Sequence, residues 1–88
     1  MTRRFLISGQ VQGVGFRMFA AAAARRDELR GWVRNLPDGR VEVVCDGDPQ
    51  SVERFARMLR QGPPGAQVDN VESESTTFTA HDTGFTIR

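Results

Sequence analysis

The chain predicts an α/β (α+β) sandwich in which two βαβ crossovers are joined by a hairpin and both helices cover one face of a mostly antiparallel sheet. Three observations predict it. The apolar period switches between two and 3.6 along the chain, so strand-like and helix-like stretches alternate. A proline–glycine turn separates the two middle strands. Each helical stretch carries its own start or stop signals.

The elements follow in order. Phe5, Ile7, Gly9 and Val11 share one parity, as in a strand with one face on a core. A helix from Arg17 to about Arg26 comes next, with alanine at every position from Ala20 to Ala24. Phe16, Phe19, Ala20 and Ala23 give it an apolar stripe suited to close packing on a sheet. Gly31 to Asn35 reads as a second strand, Leu36-Pro37-Asp38-Gly39-Arg40 as a turn, and Val41 to Asp46 as the returning strand. Asp48-Pro49 is a helix start, with an N-cap side chain followed by proline in the first turn. Val52, Phe55, Ala56 and Leu59 face the core, and Glu53 with Arg57 has the spacing of a supporting ion pair. Gly62-Pro63-Pro64-Gly65 stops that helix. Val68 to Glu74 is a polar strand expected near an edge, and Gly84 to Arg88 alternates once more. This order, βαββαβ plus a short C-terminal strand, is ferredoxin-like, and residues 1–88 read as one domain.

Size and composition bound the function. A chain this short buries about 60–65% of its unfolded surface, which favours a shallow site over an enclosed cofactor cavity. Lys and Arg number 12 against 11 Asp and Glu, a formal net charge of +1, which calls for neither nucleic acid nor membrane. The N-terminal apolar run is too short for a signal peptide, and no segment reaches membrane-span length, so a cytoplasmic protein is expected. Cys45 is the only cysteine and His81 the only histidine. Cys45 reads as a small buried strand residue. A Cys45–His81 nucleophilic dyad is the alternative, with His81 in an expected surface loop.

Chemistry concentrates in Gly9-Gln10-Val11-Gln12-Gly13-Val14-Gly15-Phe16-Arg17, at the strand-to-helix junction. Glycine permits positive φ, a helix start offers unpaired N–H groups, and a guanidinium holds two oxygens at once. Together these suit a small dianion such as a phosphoryl group; a turn that merely joins strand to helix is the alternative. Asn35 ends the second strand, where asparagine is disfavoured. It either starts the turn or has a chemical role, and Pro37, Asp38 and Gly39 already supply turn chemistry.

These segments, with Gly31-Trp32-Val33-Arg34-Asn35 and Asp38-Gly39-Arg40-Val41-Glu42, resemble the acylphosphatases over nearly the whole chain. The resemblance implies hydrolysis of a small acyl phosphate to a carboxylate and inorganic phosphate, without metal or cofactor. It implies that Arg17 binds the phosphoryl group and Asn35 positions the water. The N–H groups of Gln12, Gly13, Val14, Gly15 and Phe16 would complete the phosphate-binding set, and a monomer is expected. Two departures stand out. Asp27-Glu28-Leu29 replaces the family's Leu-Gly-Leu, which would leave Glu28 at positive φ at a cost of about 1 kcal/mol. Leu36 follows Asn35 where some members have threonine.

Two other function classes fit the fold. An RNA-recognition domain would carry aromatics on the open face of its central strands, where this chain has Leu6, Ser8, Glu42 and Val44. An anion-sensing module would need Arg17 and the glycine turn but not Asn35. Trp32 reads as half-buried packing, and Arg34 as a solvated residue on the face opposite Asn35.

Overall fold

The computed structural model describes residues 1–77 and 84–88. Strands β1 (Thr2–Gln10), β2 (Arg30–Asn35), β3 (Val41–Asp46), β4 (Gln67–Ser75) and β5 (Phe85–Ile87) form one sheet in the order β4-β1-β3-β2-β5. Only the β2–β5 pairing is parallel; the other three are antiparallel. Helices α1 (Phe16–Arg26) and α2 (Pro49–Gln61) pack on one side of the sheet, so the expected ferredoxin-like sandwich is the observed one. The core lies between the layers. Phe5 and Ile7 of β1, Val33 of β2 and Val41, Val43 and Cys45 of β3 meet the alanines of α1 and Val52, Phe55 and Leu59 of α2. Phe55 links the layers by edge-to-face contacts with Phe5 and Phe85, centroids 6.3 and 5.9 Å apart.

Helix ends follow their sequence signals. Asp48 accepts from the N–H groups of Gln50 and Ser51 at 3.1 and 3.3 Å, capping α2 ahead of Pro49. At the end of α1, Glu28 holds φ 57, as expected from its standing where the resembled family carries glycine. Its N–H donates to Arg25 O at 3.1 Å, and that of Leu29 to Ala24 O at 2.9 Å. This is a complete Schellman closure with glutamate in the position that favours glycine. Leu29, the residue after it, is buried in the core cluster. The Glu53–Arg57 pair is not among the ion pairs of the described residues; neighbouring Arg54 instead reaches Asp27 at 3.4 Å.

Strand β4 is the expected polar edge, with one feature the alternation hides. Its register against β1 shifts between Ser8 and Gly9, where Gly9 holds φ 126. A Cβ there would lie 2.1 Å from Gln67 O, so the bulge requires glycine. The shift lets Val68 and Val71, of opposite parity, both pack against the core.

The face without helices is covered by its own side chains. Glu42, only 3% exposed, accepts from Arg4 Nε at 2.5 Å and Arg34 Nε at 2.6 Å. Arg34 is therefore ion-paired rather than simply solvated. Burial by itself would raise the Glu42 pKa; the two guanidinium hydrogen bonds overcome it and hold the carboxyl below its ordinary value.

Candidate active site

The turn between β1 and α1 is anchored by its apolar side chains and presents its backbone outward. Val11 and Phe16 are each 1% exposed, and Val14 packs on the core edge. Between them Gly13 and Gly15 hold φ 77 and 78, the left-handed region. A Cβ at either would meet no atom within 4 Å, so glycine is required there for backbone angle, not for space. Gly15 is the N-cap of α1, and no side chain among the described residues caps that helix. Among the described residues, no protein acceptor takes the N–H of Gln12, Gly13, Val14, Gly15 or Phe16. Unpaired donors gathered at the positive end of a helix attract an anion. Phe16 belongs to this set through its backbone alone.

The turn is clasped to the β2–β3 hairpin. Gln12 Nε2 donates to Leu36 O at 2.8 Å and Arg40 O at 3.0 Å, across the mouth of the hairpin turn. The sequence points to the Gln12 backbone; this tether by its side chain is not legible there. The hairpin turn is shaped by Asp38, whose carboxylate accepts from Arg40 N at 3.0 Å and Arg40 Nε at 2.8 Å. The Arg40 N–H is the main influence holding the Asp38 carboxyl below its ordinary pKa. Asn35, by contrast, is exposed, and its amide has no hydrogen-bond partner among the described residues. It shares the parity of the buried Val33, on the helix side of the sheet, while Arg34 and Trp32 occupy the open face. A turn-starting role would engage the Asn35 side chain with the turn backbone. Its amide is left available instead.

Arg17 stands in the first turn of α1 with its guanidinium oriented by Arg88, the residue just past β5. Arg17 Nη1 donates to the main-chain oxygen of Arg88 at 3.0 Å, and Arg88 N donates to Val33 O at 2.8 Å. Val33 lies two residues before Asn35 on β2. The glycine turn, Arg17 and Asn35 are thus tied to one end of the sheet by Gln12 and Arg88. Cys45 lies elsewhere. It pairs with Arg3 and Gly31 near the far end of β3, about 13 Å along the strand from Val41, the partner of Asn35. Burial pushes its thiol up to about 12, so it carries no thiolate near neutral pH. His81, its conjectured partner, lies outside the described residues.

The acylphosphatase family profile matches residues 3–87. The chain belongs to the acylphosphatase family. An acylphosphatase of Anaeromyxobacter dehalogenans is 52% identical over 71 residues, covering 81% of this chain and 76% of the relative. One from Rubrobacter xylanophilus is 45% identical over 85 residues, covering 97% and 77%. The crystal structure of an acylphosphatase from Bacillus subtilis superposes with a TM-score of 0.93 at 32% identity, covering 99% of this chain and 97% of that one. Family membership carries the hydrolysis of acyl phosphates as the activity.

Leu36 follows Asn35, at the position where threonine was expected from some members of the family. The Leu36 main-chain carbonyl accepts from Gln12, so the turn following Asn35 is braced from the glycine turn. Among the described residues, no three His, Cys, Asp or Glu side chains gather where they could hold a metal.

Proposed function

We propose that this acylphosphatase holds the phosphoryl group on the N–H groups of Gln12 to Phe16 and on the Arg17 guanidinium. The Asn35 amide orients the attacking water, and neither metal nor cofactor takes part. The observation that carries the reading is the set of N–H donors at the helix start that have no acceptor among the described residues, one residue from an arginine.

Phosphoryl transfer spreads charge over three equatorial oxygens, so positioned donors and a guanidinium are what it needs most. Asn35 has both a carbonyl acceptor and an amide donor, enough to fix a water by its proton and its lone pair. Water oxygen bonds to phosphorus as the bond from phosphorus to the acyl oxygen breaks. The carboxylate leaves with the electron pair, and the water's proton departs with inorganic phosphate. A carboxylate is a good leaving group and needs no strong acid beside it. The acyl part extends away from the donors, so broad tolerance of acyl groups is expected.

The reading also takes the enzyme as a cytosolic monomer, formed by one domain and without a nucleic-acid partner. On the open face, where an RNA-recognition domain would stack bases, Glu42 is buried beneath Arg4 and Arg34.

The test is hydrolysis of benzoyl phosphate in excess chelator by the wild type and Asn35→Ala. Chelator-insensitive turnover that collapses in the variant is the expected result. Turnover absent from the wild type, with inorganic phosphate still bound, would instead make the site an anion sensor.

A further inference from the structure

Trp32 lies on the open face of the sheet, away from the glycine turn, and nothing in the proposed chemistry uses it. Two guanidinium groups lie over its ring, with the Arg88 Cζ 4.5 Å and the Arg34 Cζ 5.2 Å from the centroid. Arg34 is itself fixed by Glu42, at 2.6 Å, and Glu42 also by Arg4. The ring is therefore part of a braced surface, and Arg88 rests on it.

Arg88 joins the two faces of the sheet. Its side chain lies over Trp32, its N–H donates to Val33 O, and its main-chain oxygen accepts from Arg17. We propose that Trp32 is a positioning residue for the phosphate-binding arginine. Its ring holds the Arg88 side chain, and Arg88 thereby keeps its main-chain oxygen where it orients the Arg17 guanidinium. The inference rests on the reading that Arg17 binds the phosphoryl group.

Physical circumstances make the hold necessary. Strand β5 has three residues and lies at the sheet edge, the kind of segment that frays first. Without the ring, the main-chain bond to Val33 is what remains to hold Arg88 against β2. A guanidinium that meets a phosphoryl group with two parallel bonds tolerates little misorientation. Loosening Arg88 would thus weaken phosphate binding without removing any group that touches phosphate.

The experiment measures the inhibition constant of inorganic phosphate, kcat/KM for benzoyl phosphate and the thermal midpoint in one set of variants. Trp32→Leu is expected to weaken phosphate inhibition about two- to fivefold, the span of an exposed cation–π contact, with a matching fall in kcat/KM. Trp32→Phe keeps a ring beneath Arg88 and should recover most of the loss. Arg88→Met should reproduce the Trp32→Leu effect, and the double variant should be no worse than either single one. Val44→Ala alters the register partner of Trp32, one strand further from Arg88. It should lower the midpoint and leave phosphate inhibition unchanged. A Trp32→Leu protein that loses stability but not phosphate affinity overturns the proposal, as do Trp32 and Arg88 effects that simply add. Arg17→Ala separates the two readings. If it keeps phosphate affinity, the site assignment itself has failed. If it loses phosphate while Trp32→Leu does not, only the role of Trp32 falls.

Discussion

Arg17 Nη1 donates to the main-chain oxygen of Arg88 at 3.0 Å, across a separation of 71 residues. Arg88 directly follows the short strand β5, and at the start of that strand Arg25 Nε and Nη2 donate to Phe85 O at 3.2 and 2.9 Å. Eight residues of helix rise about 12 Å, and three of strand about 10 Å, so two arginines of α1 can bracket β5 end to end. One consequence is stability for an edge strand too short to hold itself. The other is orientation, because a guanidinium has five N–H donors and the bond to Arg88 engages only one of its nitrogens. The remainder of the fork is available to an anion at the helix start.

Arg17→Ala is therefore expected to lower kcat/KM by about 10²- to 10³-fold, the usual loss for a donor aimed at transition-state charge. Inhibition by inorganic phosphate should weaken with it. Arg17→Lys restores the charge without the planar fork and should recover only part of the activity. Unchanged phosphate inhibition in the alanine variant would refute the assignment.

Asn35→Ala should separate binding from turnover. The side chain is exposed and has no hydrogen-bond partner among the described residues, so its removal should cost stability little, within about 0.5 kcal/mol. If it orients water, kcat falls by about 10²-fold or more while phosphate inhibition stays near wild type. Asn35→Asp keeps an acceptor, loses the donor and sets a negative charge near the phosphoryl group; it should be no better than alanine. A variant that raised KM alone would make Asn35 a binding group instead.

Glu28 offers a gain in stability remote from the chemistry. It occupies the left-handed residue of the Schellman closure at φ 57, where a β-carbon is strained. Glu28→Gly should stabilise the fold by about 0.5–1 kcal/mol after the entropy that glycine adds to the unfolded chain. For a domain of this size that raises the thermal midpoint by roughly 2–8 °C. Activity should not change. A midpoint that falls would mean that the glutamate side chain supplies a compensating contact.

The sequence makes most of this architecture legible because its signals are local. The alternation of β1, the Asp48-Pro49 start and the Gly62-Pro63-Pro64-Gly65 stop each act within a few residues, and the observed elements match them. Glu28 could be expected at positive φ only through the resemblance, because it stands where the family carries glycine. What was not legible depends on residues far apart in the chain. The β4 bulge needs Gly9 against Gln67, the bracing of β5 needs α1 beside the last strand, and the Gln12 tether needs the hairpin mouth in reach. Glu42 is the clearest case. Strand parity put it on the open face, where a charged residue would be expected in water, yet Arg4 and Arg34 fold over it from the two flanking strands.

That buried carboxylate predicts how stability should vary with pH. The Glu42 carboxyl lies below its ordinary value in the folded protein, because the bonds from Arg4 and Arg34 outweigh burial, which acts the other way. In the unfolded chain it returns to about 4.3. Between the two values the unfolded state binds more protons, so stability rises with pH there. The contribution is complete above about pH 4.3 and is lost as pH falls through the lower, folded value. Glu42→Gln removes the charge and leaves two arginines facing a neutral amide. At neutral pH it should cost about 1–3 kcal/mol, less than a fully buried pair because both arginines are partly exposed. At low pH the protonated glutamic acid and glutamine are nearly alike in shape and charge, so the two proteins should converge. Urea denaturation of both from pH 7 down to pH 2.5 reads the difference directly. A gap that stayed constant across that range would show that the cost of the variant comes from packing and not from the charge.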